Sequence, residues 1–152
     1  IDMARSTPSV CNRQSARVAI ISNEDDNFAL LRHQNGNAGF GHLAQAILVV
    51  TSDLNAFLEP EERYQPWIDG GMFAMSLVLA LHAEALGACC LNWSADARTD
   101  QAFRRAAKLK PEENVIMLIA VGSLPETLSV ANSERLTRDQ ICRYLPSNRS
   151  RF

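Results

Sequence analysis

The longest predicted element of the chain most constrains its fold. It runs from about Glu61 to Gly87, and the spacing predicts one long helix. From Trp67 onward the helix is apolar almost all round, with Trp67, Ile68, Phe73, Met75, Leu77, Val78, Leu79 and Leu81. A one-sided surface helix carries a single apolar stripe, whereas a helix apolar on every side is buried in a core or against a partner chain. The sequence therefore predicts a central helix with apolar neighbours on more than one side.

Three features inside this helix carry more local predictions. The pair Gly70-Gly71 lowers helix propensity by about 1 kcal/mol per glycine, which indicates close packing at that point. Gly87 is predicted to end the helix as a C-cap. His82 lies within the apolar pattern and is predicted to be a hydrogen-bonded core residue.

The remaining chain alternates predicted strands and helices. Short apolar runs predict strands at 17–22, which is rich in β-branched residues, and at 46–52, 88–93 and 114–122. Asp26 is predicted to cap a helix over 27–34, Asp96 a helix through 101–109 that Pro111 closes, and Thr137 a short helix to about Leu145. This pattern predicts a single layered domain of helices and strands over 1–152, and element order alone does not decide whether the strands are parallel.

Charge and hydropathy exclude several classes of protein. The net charge is -2 and no basic block occurs, which argues against a general nucleic-acid or anionic-membrane binder. No apolar run approaches the roughly 20 residues of a membrane-spanning helix. The N-terminus, IDMARSTPSV, lacks the charged-then-apolar layout of a secretory signal, so a cytoplasmic location is expected.

The four cysteines predict thiols rather than a metal centre. No CxxC or Cys/His spacing suggests zinc, and Cys89 and Cys90 are adjacent in an apolar stretch. Cysteine there behaves as a small hydrophobe, so both are predicted to be packed, reduced structural residues.

The segment TPSVCNRQS, residues 7–15, concentrates hydrogen-bonding side chains just before the first strand. Cys11 could be a nucleophile whose pKa Arg13 lowers, although a base and an orienting partner would also be required. Alternatively, Asn12 and Gln14 each offer donors and acceptors that suit a planar heterocycle presenting both C=O and N–H. Other motifs are absent: no GxGxxG follows a strand, no phosphate loop or HExxH occurs, and NGNAGFG is interpreted as a surface connector.

Four segments, in order, resemble a known family. PSVCNRQ resembles the PSxxNxQPW segment of FMN-dependent nitroreductases, LHAEALGACCLN their LAAxxxGLGTCxxG, NVIMLIAVGSLPE their strand ending in GYP, and SER at 133–135 their C-terminal arginine segment. The resemblance extends through most of the chain. It implies an α+β fold, with a central sheet flanked by helices, and an intertwined homodimer. Two FMN molecules would bind at the subunit interface, much of which the long helix would form.

The same resemblance assigns roles to individual residues. Pro8, Ser9, Asn12 and Gln14 would line the flavin from the partner subunit, with Cys11 packed beneath. Backbone N–H groups around Leu91 and Asn92 would face the flavin N5/O4 edge, Arg135 would pair with the FMN phosphate, and Asn37 would contact the flavin.

The sequence also departs from the family pattern. An N-terminal RxSxR segment that contacts the phosphate is absent, so we expect either a member lacking its first few dozen residues or a changed phosphate site. Ser15 stands where the family often has proline, and Asn92 where it often has glycine.

The function implied is an FMN-dependent oxidoreductase. It would pass hydride from NAD(P)H, through flavin N5, to an electron-poor small molecule such as a nitroaromatic, a quinone or another flavin. Two alternatives stay open at this point. One is a flavin- or nucleotide-binding module without turnover, a sensor or carrier, and the other is a cysteine enzyme using Cys11.

Overall fold

The sheet is antiparallel throughout and is the centre of the molecule. A computed structural model describes residues 1–145 of the chain. The strands are β1 (Ala16–Ile21), β2 (Ala46–Asp53), β3 (Leu86–Asn92) and β4 (Glu113–Ser123), in the spatial order β1-β2-β4-β3. All three neighbouring pairs are antiparallel, and β4 lies between β2 and β3. The four predicted strands are thus confirmed, with boundaries that differ by at most two residues.

The two central strands carry the core on both faces. In β2 every residue from Ile47 to Ser52 is buried, and in β4 residues 118–121 are buried. Successive side chains of a strand point to opposite faces. Ile47, Val49 and Leu118 accordingly belong to one buried cluster, while Leu48 and Val50 belong to the other.

Helices cover the sheet on both faces. Helices α1 (Glu24–Leu31) and α3 (Ala97–Ala106) pack on one face, which we call the α1–α3 face. Helix α2 (Gln65–Ala83) packs on the opposite α2 face through Phe73, Ala74 and Leu77. A one-turn helix, α4 (Arg138–Ile141), lies in the C-terminal segment. The predicted α+β architecture, a central sheet flanked by helices, is confirmed.

Several predicted helix ends were wrong. The cap of α1 is Asn23, whose side-chain oxygen accepts the backbone N–H of Asp26 at 3.2 Å. Helix α2 is shorter than 61–87 because the chain turns at Ala85, with φ at +57°, and Gly87 already belongs to β3. Asp96 does cap α3, accepting the backbone N–H of Thr99 at 2.7 Å. That helix ends at Ala106, before Pro111, and α4 ends at Ile141 rather than near Leu145.

The two glycines of α2 are not equivalent. A Cβ on Gly70 would lie 2.6 Å from Cγ1 of Ile116, so the absence of a side chain lets the helix approach β4 closely. A Cβ on Gly71 would meet nothing within 4 Å among the described residues. The predicted close packing is therefore confirmed at Gly70 alone.

Two sets of residues predicted to be interior are exposed. His82 lies on the side of α2 turned away from the sheet and is not in the core. Cys89 and Cys90 are exposed because β3 is an edge strand, with β4 on one side only. They are unpaired thiols, as predicted, but they are not packed.

The predicted single domain over 1–152 includes residues 146–152, which lie outside the described residues. Among residues 1–145, none of the helices combines the length and the apolar character needed to cross a bilayer.

Candidate functional site

A strained loop precedes β1. Residues 9–14, which we call the N-terminal loop, contain a short 3-10 turn, Val10–Asn12. Cys11, Asn12 and Gln14 have φ of 48°, 54° and 51°. This left-handed region is uncommon for residues other than glycine and persists where the surroundings hold it. Within the loop, Ser9 Oγ accepts the backbone N–H of Gln14 at 2.9 Å.

Helix α2 anchors the first half of this loop. The backbone N–H of Val10 donates to Oδ2 of Asp69 at 3.1 Å. The other oxygen of Asp69 accepts from Nε2 of Gln65 at 2.8 Å. Asp69 is 2% exposed, so a carboxylate is buried directly beneath the loop with donors on both oxygens. Buried charged groups require such partners, and these contacts tie the loop to the helix.

An ion pair anchors the second half of the loop. Nη1 of Arg13 lies 2.5 Å from Oε1 of Glu62 and donates to the carbonyl of Ala56 at 3.0 Å. Oε2 of Glu62 in turn accepts the backbone N–H of Leu58 at 3.1 Å. The hydrogen bond from Arg13, followed by that from Leu58, lowers the pKa of the Glu62 carboxyl. The same pair raises the pKa of Arg13, so both groups are charged at neutral pH.

Ser15 stands at the position where the sequence pattern described above often has proline, and the structure shows how its hydroxyl is accommodated. Its side chain is fully buried, and its Oγ accepts a hydrogen bond from Oγ of Ser52 at 3.0 Å. Its carbonyl accepts the backbone N–H of Asp53 at 2.9 Å. The hydroxyl is therefore satisfied inside the protein, and the loop enters β1 at a fixed point.

The loop forms one wall of a cavity of about 290 Å³. Pro8, Ser9 and Gln14, three of the predicted flavin residues, line it together. The rest of the lining combines cations, the buried carboxylate and apolar groups: Ile1, Arg5, Thr7, Ala16, Arg17, Val18, Asp69 and Phe73. Asn12 is exposed at the loop tip, and within the described residues its side-chain amide makes no hydrogen bond. This amide is available to form a hydrogen bond with a ligand or with another chain.

The other predicted site residues lie elsewhere in this chain. Nδ2 of Asn37 donates to the carbonyls of Leu31 at 2.9 Å and Gln34 at 2.6 Å, which closes the C-terminus of α1. Arg135 is exposed in the C-terminal segment, where Nη1 donates to the carbonyl of Ser133 at 2.8 Å. The structure does not bring these two residues to the cavity.

Leu91 and Asn92 lie at the end of the edge strand β3. The side chain of Leu91 is 3% exposed and belongs to the core of the α1–α3 face. Nδ2 of Asn92 donates to Oγ of Ser94 at 2.7 Å, and its carbonyl accepts from Nε2 of Gln34 at 3.1 Å. Because β3 pairs with β4 on one side only, its outer edge retains backbone groups without a strand partner.

Cys11 is not packed beneath the loop, as was predicted, but exposed. The positive φ at Cys11 places it at the turn of the loop. Among residues 1–145, no hydrogen bond to its Sγ identifies a base, which a thiol nucleophile would need. In the same part of the chain no group of three or more His, Cys, Asp or Glu side chains could hold a metal ion.

Sequence reasoning missed Asp69, Glu62 and Arg17. A signal for Asp69 was present, since it is a lone carboxylate between Trp67 and Leu81 in an otherwise apolar helix. Glu62 and Arg17 carried no comparable signal, because charged residues are common next to turns and at strand ends.

Comparison with known proteins identifies the family. A family model described as the nitroreductase family matches residues 24–123, more than half of the chain. The chain belongs to the nitroreductase family. The match supports an oxidoreductase, and it includes Asn37, Leu91 and Asn92 but neither the N-terminal loop nor Arg135.

Solved structures show the same nitroreductase fold. A Bacillus subtilis protein described as a nitroreductase has a TM-score of 0.80 and 17% identity, over 95% of this chain and 84% of that chain. A Desulfovibrio desulfuricans protein described as a nitroreductase, in complex with FMN, has a TM-score of 0.77 and 22% identity, over 95% and 80%. A Staphylococcus epidermidis protein described as an NAD(P)H:FMN oxidoreductase has a TM-score of 0.79 and 17% identity, over 95% and 82%. No curated protein matches the chain.

Proposed function

We propose that this nitroreductase-family protein is an FMN-dependent oxidoreductase that takes hydride from NAD(P)H and passes it to an electron-poor acceptor, such as a nitroaromatic or a quinone. The observation that carries the proposal is the N-terminal loop, held from two sides by Asp69 and Glu62. A loop with three residues at positive φ, two external anchors and an unpaired side-chain amide suits a rigid binding surface.

The residues present fit a flavin. The amides of Asn12 and Gln14 offer the donor and acceptor pair that an isoalloxazine edge requires. The neighbouring cavity of about 290 Å³ has apolar walls and two arginines, Arg5 and Arg17, which suit a planar apolar ring and an anionic tail. Arg135 remains the residue that the family resemblance assigns to the phosphate.

FMN, when bound, would supply the hydride chemistry between NAD(P)H and the acceptor. The chain would bind and orient it. Ser9, Asn12 and Gln14 would hold the ring, and N–H groups at the outer edge of β3, near Asn92, would stabilise negative charge on it. No protein acid or base is required, and the chain's own residues act by positioning.

The proposal includes a homodimer with the flavin at the interface, which explains why the predicted site residues are dispersed in one chain. Large apolar side chains are exposed on the outer side of α2, among them Trp67 at 51%, Met75 at 51% and Leu79 at 58%. Leu128, Val130 and Leu136 are exposed in the C-terminal segment. Contiguous exposed apolar surface of this kind marks an interaction site. A second copy would cover it and bring its own loop to the β3 edge.

A cytoplasmic location is part of the proposal. The four cysteines are all unpaired although exposed, which suits a reducing compartment, where NAD(P)H is also held.

The test is binding and turnover by the full chain. We expect FMN to bind, with quenching of its fluorescence, and NAD(P)H absorbance at 340 nm to fall only when both FMN and a nitroaromatic or quinone are present. Asn12→Ala should weaken FMN binding about tenfold, as expected for a lost ligand hydrogen bond. The matched control, Asn55→Ala, replaces another exposed asparagine and should bind as the wild type does.

If the wild type neither binds flavin nor oxidises NAD(P)H, the proposal is overturned. Tight FMN binding without any turnover would favour instead a flavin-binding module. Activity that survives without flavin but is lost in Cys11→Ser would identify a thiol enzyme.

A further inference from the structure

We propose that Asp69 is a positioning residue, which holds the N-terminal loop in its flavin-binding shape through the backbone N–H of Val10. This inference rests on the proposed function for the identity of the ligand. It deepens that function by naming a residue that would control affinity without touching the flavin.

The loop needs support from outside. Cys11, Asn12 and Gln14 occupy the left-handed region, which side chains with a Cβ disfavour. Within the loop, the backbone N–H groups of Asn12 and Arg13 donate to the carbonyls of Ser9 at 3.0 Å and Val10 at 2.9 Å. Ser9 Oγ accepts the backbone N–H of Gln14 at 2.9 Å, and Nε2 of Gln14 donates to the carbonyl of Asn12 at 3.3 Å. These bonds are all local, and they do not tie the loop to the rest of the protein. A segment of this kind keeps its shape only when surrounding structure fixes it.

Asp69 provides a rigid anchor at the right place. Gly70, the next residue, packs so closely on β4 that a Cβ would come within 2.6 Å of Ile116. Phe73, one turn later, is buried in the core of the α2 face. The carboxylate is therefore fixed relative to the sheet, and it meets Val10 immediately before the first residue with positive φ.

Besides the loop, the only other group that the Asp69 carboxylate contacts among the described hydrogen bonds is the side chain of Gln65. Gln65 lies on the same helix four residues earlier and can hydrogen-bond to solvent if released. A buried carboxylate costs free energy unless its oxygens are hydrogen-bonded, so an apolar residue would serve α2 better if the helix alone mattered. The contact that spans 59 residues of sequence is the one to the loop.

The other anchor, Arg13 with Glu62, acts between Asn12 and Gln14, after the first two residues with positive φ. It can stay in place when Asp69 is changed, because Glu62 is held by its own contacts to Leu58 and Glu59. Loss of Asp69 should therefore release the first half of the loop, Ser9 to Asn12, rather than unfold the protein.

Two kinds of variant isolate the contact. Asp69→Ala removes the acceptor, and Val10→Pro removes the donor together with the valine side chain. Ser9 already has the extended conformation that precedes proline (φ -138°, ψ 157°). Asp69→Asn keeps an acceptor oxygen for Val10 and tests rescue. Gln65→Ala, which removes the other partner, is the matched control. Phe103→Leu, in the core of the α1–α3 face, controls for general destabilisation.

Loop opening can be measured without flavin. Trypsin cleavage of the Arg13–Gln14 bond, followed by mass spectrometry, reports how often the whole loop opens, including the Arg13–Glu62 pair. Loss of the Asp69 anchor lowers the free energy of that opening, because one contact fewer has to break. We expect cleavage to accelerate by about 10- to 100-fold in Asp69→Ala and in Val10→Pro, as for loss of a hydrogen bond to a charged group. The double variant should add little, because both changes remove one contact.

The affinity for FMN should follow the same pattern. We expect the Kd to rise in Asp69→Ala and Val10→Pro by the inverse of the fraction of molecules whose loop stays held, a fraction that the cleavage rates give. Asp69→Asn should recover most of the wild-type value. Gln65→Ala and Phe103→Leu should change the melting temperature more than the Kd.

The outcomes separate the two proposals. Unchanged trypsin cleavage in both Asp69→Ala and Val10→Pro would overturn the role of Asp69, whatever the flavin does. If both variants fail to fold, hydrogen exchange of the Val10 backbone N–H in the wild type decides the question, and exchange without protection would overturn the role of Asp69. Absence of FMN binding by the wild type would refute the flavin proposal, while the cleavage data would still decide whether Asp69 holds the loop.

Discussion

The two faces of the sheet are built from the same strands but are completed differently. On the α1–α3 face the chain supplies its own cover, and Phe103 of α3 is fully buried against Trp93, with ring centroids 4.3 Å apart. On the α2 face one helix covers the sheet, and an apolar groove of about 410 Å³ stays open beside it, between Ile20, Leu77 and Leu86. The outer side of α2 is apolar and exposed as well.

The comparison shows that a helix can bury one side in the core of its own chain and still leave its other apolar side uncovered. Phe73 and Leu77 of α2 are buried by this chain's own sheet, whereas Trp67 and Leu79 of the same helix are not. A helix that is apolar all round but covered on one side leaves surface that a second copy can bury. The α1–α3 face is therefore the folding face, and the outer side of α2 is the proposed association face.

The largest effect is expected when a charge is placed on the association face. Leu79→Glu would bury an unpaired carboxylate in the proposed dimer interface, a change that costs several kcal/mol. We expect the dimer to become a monomer in light scattering and the FMN affinity to fall at least about tenfold. The control is Gln101→Glu, an exposed position on α3, which should stay dimeric. A stable dimer of Leu79→Glu would remove the distinction between the two faces.

The next largest effect is expected on the folding face. Phe103→Ala removes a fully buried ring and should lower the free energy of unfolding by about 3–5 kcal/mol, measured with urea. Its effect should not depend on protein concentration when the unfolding of a monomeric background such as Leu79→Glu is followed. Phe57→Ala, at a partly exposed ring, should cost clearly less.

A smaller change in the free energy of unfolding is expected when alanine replaces a glycine on either side of α2. Gly70→Ala forces a methyl group against Ile116 and should destabilise by about 1–3 kcal/mol, as overpacking does. In the monomeric Leu79→Glu background, Gly71→Ala adds a methyl group that meets nothing within 4 Å among the described residues and should instead stabilise by up to about 1 kcal/mol, through helix propensity. Urea midpoints that move in the same direction for both variants would contradict the packing described for Gly70.

The smallest effect concerns the ion pair that holds the loop above α2. The pKa of Glu62 is lower in the folded chain, so its ionised form favours folding. This contribution is complete above about pH 4.5, the ordinary glutamate value, and is lost as the pH falls through the lowered pKa. Glu62→Gln should therefore unfold more readily than the wild type at pH 7 but equally readily in acid. Glu61→Gln, at an exposed neighbour, should match the wild type at both pH values.

Local patterns predicted most of the elements. Short apolar runs before and after the long helix marked all four strands, and Asp96 marked the start of α3. The end of α2 was misplaced because Gly87 is a good cap by type, while the actual turn is made by Ala85 in a conformation that glycine usually takes. Burial of Cys89 and Cys90 was wrong because residue type does not reveal that their strand lies at an edge of the sheet.

The candidate site was predictable only in part. The polar residues of the N-terminal loop stood out by type and by resemblance, and three of them line one cavity. Their roles as ligands of the flavin remain predictions, as do those of Asn37, Leu91, Asn92 and Arg135. The anchors of the loop could not be predicted, because the partner of Val10 lies 59 residues away and sequence spacing carries no information on such contacts.

By itself the sequence determined the family, the strand positions and the excess of apolar surface on the long helix, since these follow from residue type and spacing. Tertiary structure decided which side of that helix is covered, which cysteines are exposed and where the buried carboxylate of Asp69 finds its donor. Those outcomes depend on strand order and on contacts between distant segments, and a local pattern cannot contain them.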